Sequence, residues 1–210
     1  MRYTGRIILV SVSIFFGSIS IFFLNESLVE EIPTILITLI IGWFFGKQFD
    51  KVKYLSERDF LTGVYNRRYM YEQFPKLCAK YEMFSILIID VNNFKVVNDT
   101  RGHECGDNAL KDLVQVISRT VRKQDIVSRW GGDEFLIILP LTSREEAEKI
   151  AMQLENEVRK DIEKKCSELS YLSLSIGAAD YPSEGMTLDN LNKIADDKMY
   201  KKKKESKLNT

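Results

Sequence analysis

Histidine is almost missing: His103 is the single one in 210 residues. A metal centre built from several imidazoles is therefore excluded, and His103 reads as structural. The three cysteines, Cys78, Cys105 and Cys166, are far apart and odd in number. They give neither a disulfide framework nor a metal-ligand spacing, and read as reduced, buried thiols of a cytoplasmic domain. Excess charge is missing too. Thirty basic and thirty acidic residues cancel, so no bulk positive field draws the chain to nucleic acid, and none is expected as a partner. The charged connector Lys47–Arg58 has no glycine or proline hinge. It reads as a helical continuation of the run before it.

What the N-terminal quarter does have is apolar length. Ile7–Leu24 carries no charge and is near the lower limit for crossing a hydrocarbon core of about 30 Å. A second uncharged run, Ile32–Gly46, is shorter and needs flanking residues or local thinning to span. The stretch between them, Asn25–Glu31, is brief and acidic. Arg2 and Arg6 precede the first run, and Lys47, Lys51 and Lys53 follow the second. The excess of basic residues at both ends predicts two spans, 7–24 and 32–46, with both ends in the cytoplasm. Residues 1–55 are then a transmembrane hairpin with a short connector, and the lipid bilayer is a partner. A cleaved signal peptide is the competing reading. No small-residue cleavage site follows Leu24, and a second run comes at once. The loop is too short to fold as an external sensor.

The stretch with the most chemistry is Ser128–Leu139. A β-rich run, Asp125-Ile126-Val127, leads into Gly131-Gly132, and an apolar run closed by Pro140 follows. Two such runs joined by Gly-Gly predict a β-hairpin with φ > 0 at both central positions. The glycines also leave bare backbone for a ligand to approach. Asp133 and Glu134 come next, with neighbouring side chains pointing to opposite faces in a strand. An ordinary hairpin with a polar tip is the plain alternative. Earlier in the chain, Phe84–Ile89 is nearly all apolar, as in a central strand covered on both faces, and it ends in Asp90. A carboxylate there is costly unless paired, solvated or metal-bound. It could also cap a following helix. Were the Asp90 strand to lie beside the hairpin, Asp90 and Asp133 could share Mg²⁺, an ion that favours carboxylates plus substrate phosphates.

The remaining chain is scaffold. Asn66 suits the N-cap of a helix from Arg67, which Pro75 should kink or break. Leu110, Leu113 and Ile117 mark a second helix, and Ala147, Ala151, Leu154 and Val158 a third, opened by the capping-box pair Ser143 and Glu146. Leu172–Ala178 alternates as a half-buried strand does. Leu188, Leu191, Ala195 and Met199 begin a last helix that ends in a lysine run. Alternating strands and helices with one inserted hairpin predict an α/β (α+β) sandwich, a mixed sheet surrounded by helices.

Gly131-Gly132-Asp133-Glu134-Phe135 spells the GGDEF signature, and the chain resembles the diguanylate cyclase family. Further matches stand in the right order: Asp59…Leu61-Thr62-Gly63…Asn66-Arg67-Arg68, then Phe94-Lys95-Val96-Val97-Asn98-Asp99, then Gly102-His103-Glu104-Cys105-Gly106-Asp107. The resemblance places the catalytic domain at 56–210, with a fold similar to the polymerase palm and to class III nucleotide cyclases. It implies condensation of two GTP to cyclic di-GMP and two pyrophosphates, with two Mg²⁺ or Mn²⁺ ions in each active site. It also implies a homodimer. Together with the N-terminal hairpin, this places the protein at the bacterial inner membrane, multi-pass, with the catalytic domain in the cytoplasm.

By resemblance, Asp90, Asp133 and Glu134 organise the metals with the Val91 carbonyl as a further ligand, Asp133 assists hydroxyl deprotonation, and Asn98 and Asp107 read guanine. A carboxylate suits that base, since it can accept from N1–H and the amine together. Lys95 is a candidate phosphate contact, and Gly131 and Gly132 lie against the substrate. Lys203 and Lys207 take the triphosphate positions, four residues apart on one helix face. The family usually has arginine where Lys207 stands, so a fork is reduced to a point charge. It often has an aspartate where Asn92 stands. We expect Asn92 to point away from Asp90's face and to support rather than catalyse. Arg122 and Asp125 occupy the place of a product-binding inhibitory site. Three rivals stand beside this reading. A catalytically dead relative would lack the signature acids or glycines, an adenylyl cyclase would lack Asn98 with Asp107, and a purely structural membrane protein would need none of them.

Overall fold

In the computed structural model, which describes residues 3–24, 28–165 and 172–208, the chain forms two compact units, residues 1–57 and 58–210. The first is a pair of helices, α1 (Thr4–Leu24) and α2 (Leu28–Glu57). They approach closely where side chains are absent: a Cβ on Gly46 would lie 2.5 Å from the Cα of Arg6. The Arg6 guanidinium donates to Asp50 at 3.1 Å, and the Gly5 N–H donates to the same carboxylate at 2.7 Å. Ile40, Phe44 and Phe45 project outward and exposed.

Among the described residues, only Ile32–Glu57 is a helix long and apolar enough to cross a membrane, and Thr4–Ser20 is a shorter apolar helix. Of the two expected spans, 32–46 falls in the first of these helices and 7–24 in α1. The second run, expected to be short, continues through the charged connector as one helix. The first is the shorter over its described part.

The second unit is a sandwich. Its elements are β1 (Tyr65–Asn66), α3 (Arg67–Lys80), β2 (Phe84–Asn92), α4 (Phe94–Arg101), α5 (His103–Thr120), β3 (Ile126–Arg129), β4 (Glu134–Pro140), α6 (Arg144–Lys165), β5 (Ser173–Tyr181) and α7 (Leu188–Leu208). The five strands form a mixed sheet in the order β1-β3-β4-β2-β5, with β1 and β3 parallel and the other pairs antiparallel. Alternation along β2 feeds two cores. Leu87, Ile89 and Val91 pack with α5 and α6, while Phe84, Ile86 and Ile88 pack with α3 and α7.

Local signals explain most boundaries. The Asn66 side chain accepts from the Tyr69 N–H at 3.0 Å and caps α3. That helix runs unbroken past Pro75, contrary to expectation, with Met70, Phe74 and Leu77 buried on either side of the ring. Core packing outweighs the missing hydrogen bond. Ser143 and Glu146 exchange the two bonds of a capping box at 3.0 and 3.3 Å. Cys78 and Cys105 are free thiols, half-buried rather than buried. Cys166 lies outside the described residues.

Candidate active site

Antiparallel register sets Asp90 of β2 opposite Glu134 of β4. Strand alternation carries both side chains to the face that packs α3 and α7, because Ile88 and Leu136, two residues away on each strand, lie in that core. The cross-strand partner of Asp90 is therefore Glu134. Asp133 precedes the strand, and its carbonyl accepts from the Val91 N–H at 3.1 Å. That bond fixes the loop to the end of β2. Burial foremost, then the charges of Asp133 and Asp90, push the Glu134 carboxyl above its ordinary range, with Arg67 opposing. Lys203 of α7 reaches the same mouth, and its Nζ donates to Asp90 Oδ1 at 2.7 Å. Among the described residues no three Asp, Glu, His or Cys side chains converge as a ready metal cage.

The Gly-Gly loop is not the two-residue turn expected. Residues 130–134 separate the last paired positions, Arg129 and Phe135, and both the Trp130 and the Gly131 N–H donate to the Glu134 carbonyl, at 2.7 and 3.3 Å. In this longer loop neither glycine has a left-handed φ. What the loop needs is space. A Cβ on Gly131 would stand 2.7 Å from Glu134 Oε2, whereas nothing lies within 4 Å of one on Gly132. Gly132 thus leaves backbone open to a ligand.

Two residues given no individual role in the sequence reading brace this loop. Arg129 donates to the Gly132 carbonyl at 2.7 and 3.1 Å and to Asp59 at 3.2 Å. Asp59 in turn accepts from the Thr62 N–H and hydroxyl at 2.9 and 2.6 Å. A charged residue in a strand next to Gly-Gly was the signal available in the sequence. Trp130 is pinned from outside by the Tyr71 ring at 5.6 Å and by the Arg67 guanidinium at 4.7 Å.

Asn98 and Asp107 lie on the two helices after β2. Asn93 turns the chain with φ 62°, and Gly102 joins α4 to α5 with φ 83°. The Asn98 side chain rests against Gly106, where a Cβ would overlap its Oδ1. That Oδ1 is buried and has no hydrogen-bond partner among the described residues. Asp107, the next residue, is half-buried, and Lys95 is exposed in the first turn of α4.

Asn92 corrects another expectation. Residues two apart on a strand share a face, so Asn92 lies on the side of Asp90. It donates to Ser173 Oγ and Ser175 Oγ at 3.0 and 2.9 Å, and so fastens β5 beside the acids. Lys207 stands in the last turn of α7, with its side chain outside the described residues. Arg122 and Asp125 lie near the opposite end of β4 from Glu134. The guanidinium donates to Asp125 at 3.0 Å, to the Pro140 carbonyl at 3.2 Å and to Thr142 Oγ1 at 2.6 Å. The Asp125 side chain is 0% exposed and also accepts the Arg122 N–H at 2.7 Å.

Comparison with known proteins agrees with this geometry. Residues 56–209 match the family model described as diguanylate cyclase, GGDEF domain. The response regulator PleD of Caulobacter vibrioides is 35% identical over 155 residues, 71% of this chain and 34% of its own length. Diguanylate cyclase DgcM of Escherichia coli is 32% identical over 163 residues, 75% of this chain and 38% of its own. The chain thus spans little more than a third of either relative. The crystal structure of the coiled coil and GGDEF domain of DgcB from Caulobacter crescentus, in complex with c-di-GMP, superposes with a TM-score of 0.75. It covers 82% of this chain and 94% of that one, at 23% identity, a likeness of fold. With the family model spanning most of the chain and the signature acids at adjoining strand ends, this protein belongs to the GGDEF-domain family.

Proposed function

We propose that the chain is a diguanylate cyclase that condenses two GTP molecules to cyclic di-GMP with release of pyrophosphate. The observation that carries the reading is the pairing of Asp90 with Glu134 at the mouth beside a glycine left open to approach. The donor set fits Mg²⁺ or Mn²⁺. Magnesium takes one or two carboxylates and completes its shell with substrate phosphates, so no cage of three is needed. A cationic group, the Lys203 ammonium, already sits on Asp90. Asp90, Glu134 and the Val91 carbonyl would hold two such ions, with Asp133 beside them. When bound, the metal supplies positive charge to the attacking hydroxyl and the leaving pyrophosphate.

The chain's own groups do the rest. Crowded carboxylates that push the Glu134 carboxyl up are relieved by a divalent cation. Asp133 takes the proton of the attacking 3′-hydroxyl. Gly131 and Gly132 admit the phosphates, and Lys95, Lys203 and Lys207 balance their charge. Asn98, with its unpartnered oxygen, and Asp107 read the guanine edges. One site holds one GTP, and two must face each other, so the active species is a homodimer. The membrane reading rests on α2, whose outward apolar side chains form the anchor, with the domain from residue 56 in the cytoplasm.

The test is the full chain in detergent with labelled GTP and Mg²⁺. Cyclic di-GMP should form, ATP should not be used, and Asp133→Ala should lower the rate at least about a hundredfold. Wild-type-like turnover by that variant would remove Asp133 from the chemistry. GTP bound without turnover would make the chain a nucleotide-binding module. The same time course reads the Arg122 and Asp125 pair. Arg122→Ala should let product accumulate further at an unchanged initial rate; an identical plateau would discard the inhibitory site.

A further inference from the structure

The Lys203 ammonium and the Asp90 carboxylate are in direct contact at 2.7 Å, with the two side chains 31% and 22% exposed. The contact is built, because α7 cannot drift from β2. Met199, one turn before Lys203, is buried in the core, and Gly177 of β5 admits α7 so closely that a Cβ there would meet the Ala195 carbonyl. The lysine is therefore delivered to one of the two strand-end acids that the proposed reaction needs for a cation. A lysine is a compact point charge on a four-carbon stem. It can neutralise a carboxylate but cannot supply the open coordination positions that phosphate oxygens need.

We propose that Lys203 is a resident latch: in the absence of nucleotide it occupies Asp90, and a divalent ion must displace it to bind. The inference rests on the metal-dependent reading above and adds a direction to it. With Lys203 on Asp90, metal alone binds weakly, since each ion that enters must break an existing ion pair. A nucleotide changes the balance, because its phosphates offer the released ammonium a new anionic partner while completing the metal's shell. Metal and nucleotide thus bind with positive cooperativity, and the empty site is guarded against free divalent ions. The lysine is in this sense a positioning and gating group in addition to a phosphate contact.

The experiment measures Mn²⁺ binding by electron paramagnetic resonance on the full chain in detergent, without nucleotide, for the wild type, Lys203→Met and Asp90→Asn. A partly exposed ion pair is lost in the first variant, so Mn²⁺ should bind about two- to fivefold more tightly. Adding a non-hydrolysable GTP analogue should tighten Mn²⁺ binding to the wild type more than to Lys203→Met. Equal Mn²⁺ affinity in the wild type and Lys203→Met, with Asp90→Asn weakened, would overturn the latch and leave the metal reading standing. Unchanged binding in Asp90→Asn would overturn both, since Asp90 would then hold no metal. Lys203→Gln repeats the comparison with a polar side chain, and the same tightening is expected.

Discussion

Three donors converge on the Asp59 carboxylate: the Thr62 N–H, the Thr62 hydroxyl and the Arg129 guanidinium. Burial alone would raise this carboxyl, but the Thr62 bonds and the Arg129 charge together hold it below its ordinary 3.8. An acid whose folded value is depressed contributes stability above the unfolded value and loses it as the pH falls through the folded one. The Asp59 contribution is thus present above about pH 4 and fades below it. Asp59→Asn should cost about 1–2 kcal/mol at neutral pH and flatten the acid limb of a denaturation profile followed by circular dichroism. An unchanged acid limb would show that the brace is not energetic. The acids themselves were legible in the sequence, because a charge at the end of an apolar run stands out. The braces were not. Arg129 and Asp59 are 70 residues apart, and no local pattern joins them. The face of Asn92 was readable from strand alternation alone, and the expectation missed it.

Four of the five helices described in the second unit were legible at the scale of the element, since periodic apolar positions and caps are local; the short α4 was not. The Gly-Gly loop was not, because its length is set by the register of β3 on β4, which is a property of two strands. Gly106 shows how tightly element and site are joined. Its missing side chain makes room for the Asn98 amide between α4 and α5. Gly106→Ala should therefore push Asn98 aside. Affinity for GTP, measured by calorimetry, should fall at least about tenfold, as when a donor or acceptor to the base is lost. The circular dichroism spectrum should remain that of a folded domain. Undiminished GTP affinity would release Asn98 from base recognition.

For the whole molecule, the sandwich with its mixed sheet was legible, and of the two expected spans one lies in a helix with the length and composition to cross a membrane among the described residues. Lys47, Lys51 and Lys53 flank or end the apolar part of α2, and basic residues stay on the cytoplasmic side. A reporter fused after Thr210 should be active in its cytoplasmic form, and activity only in an exported form would reverse the orientation and separate the site from GTP. One further property follows from the placement of β2. Hydrogen-bonded on one side to β4 and on the other to β5, the strand that carries Asp90 has no free edge. Its amides should exchange with deuterated solvent only when the sheet as a whole opens, whereas the two-residue β1 at the margin should exchange early. The strand-end acid is then as rigid as the fold is stable. Control of such a site by local melting is closed off, and it falls to whatever meets the acids from outside, Lys203 first among them.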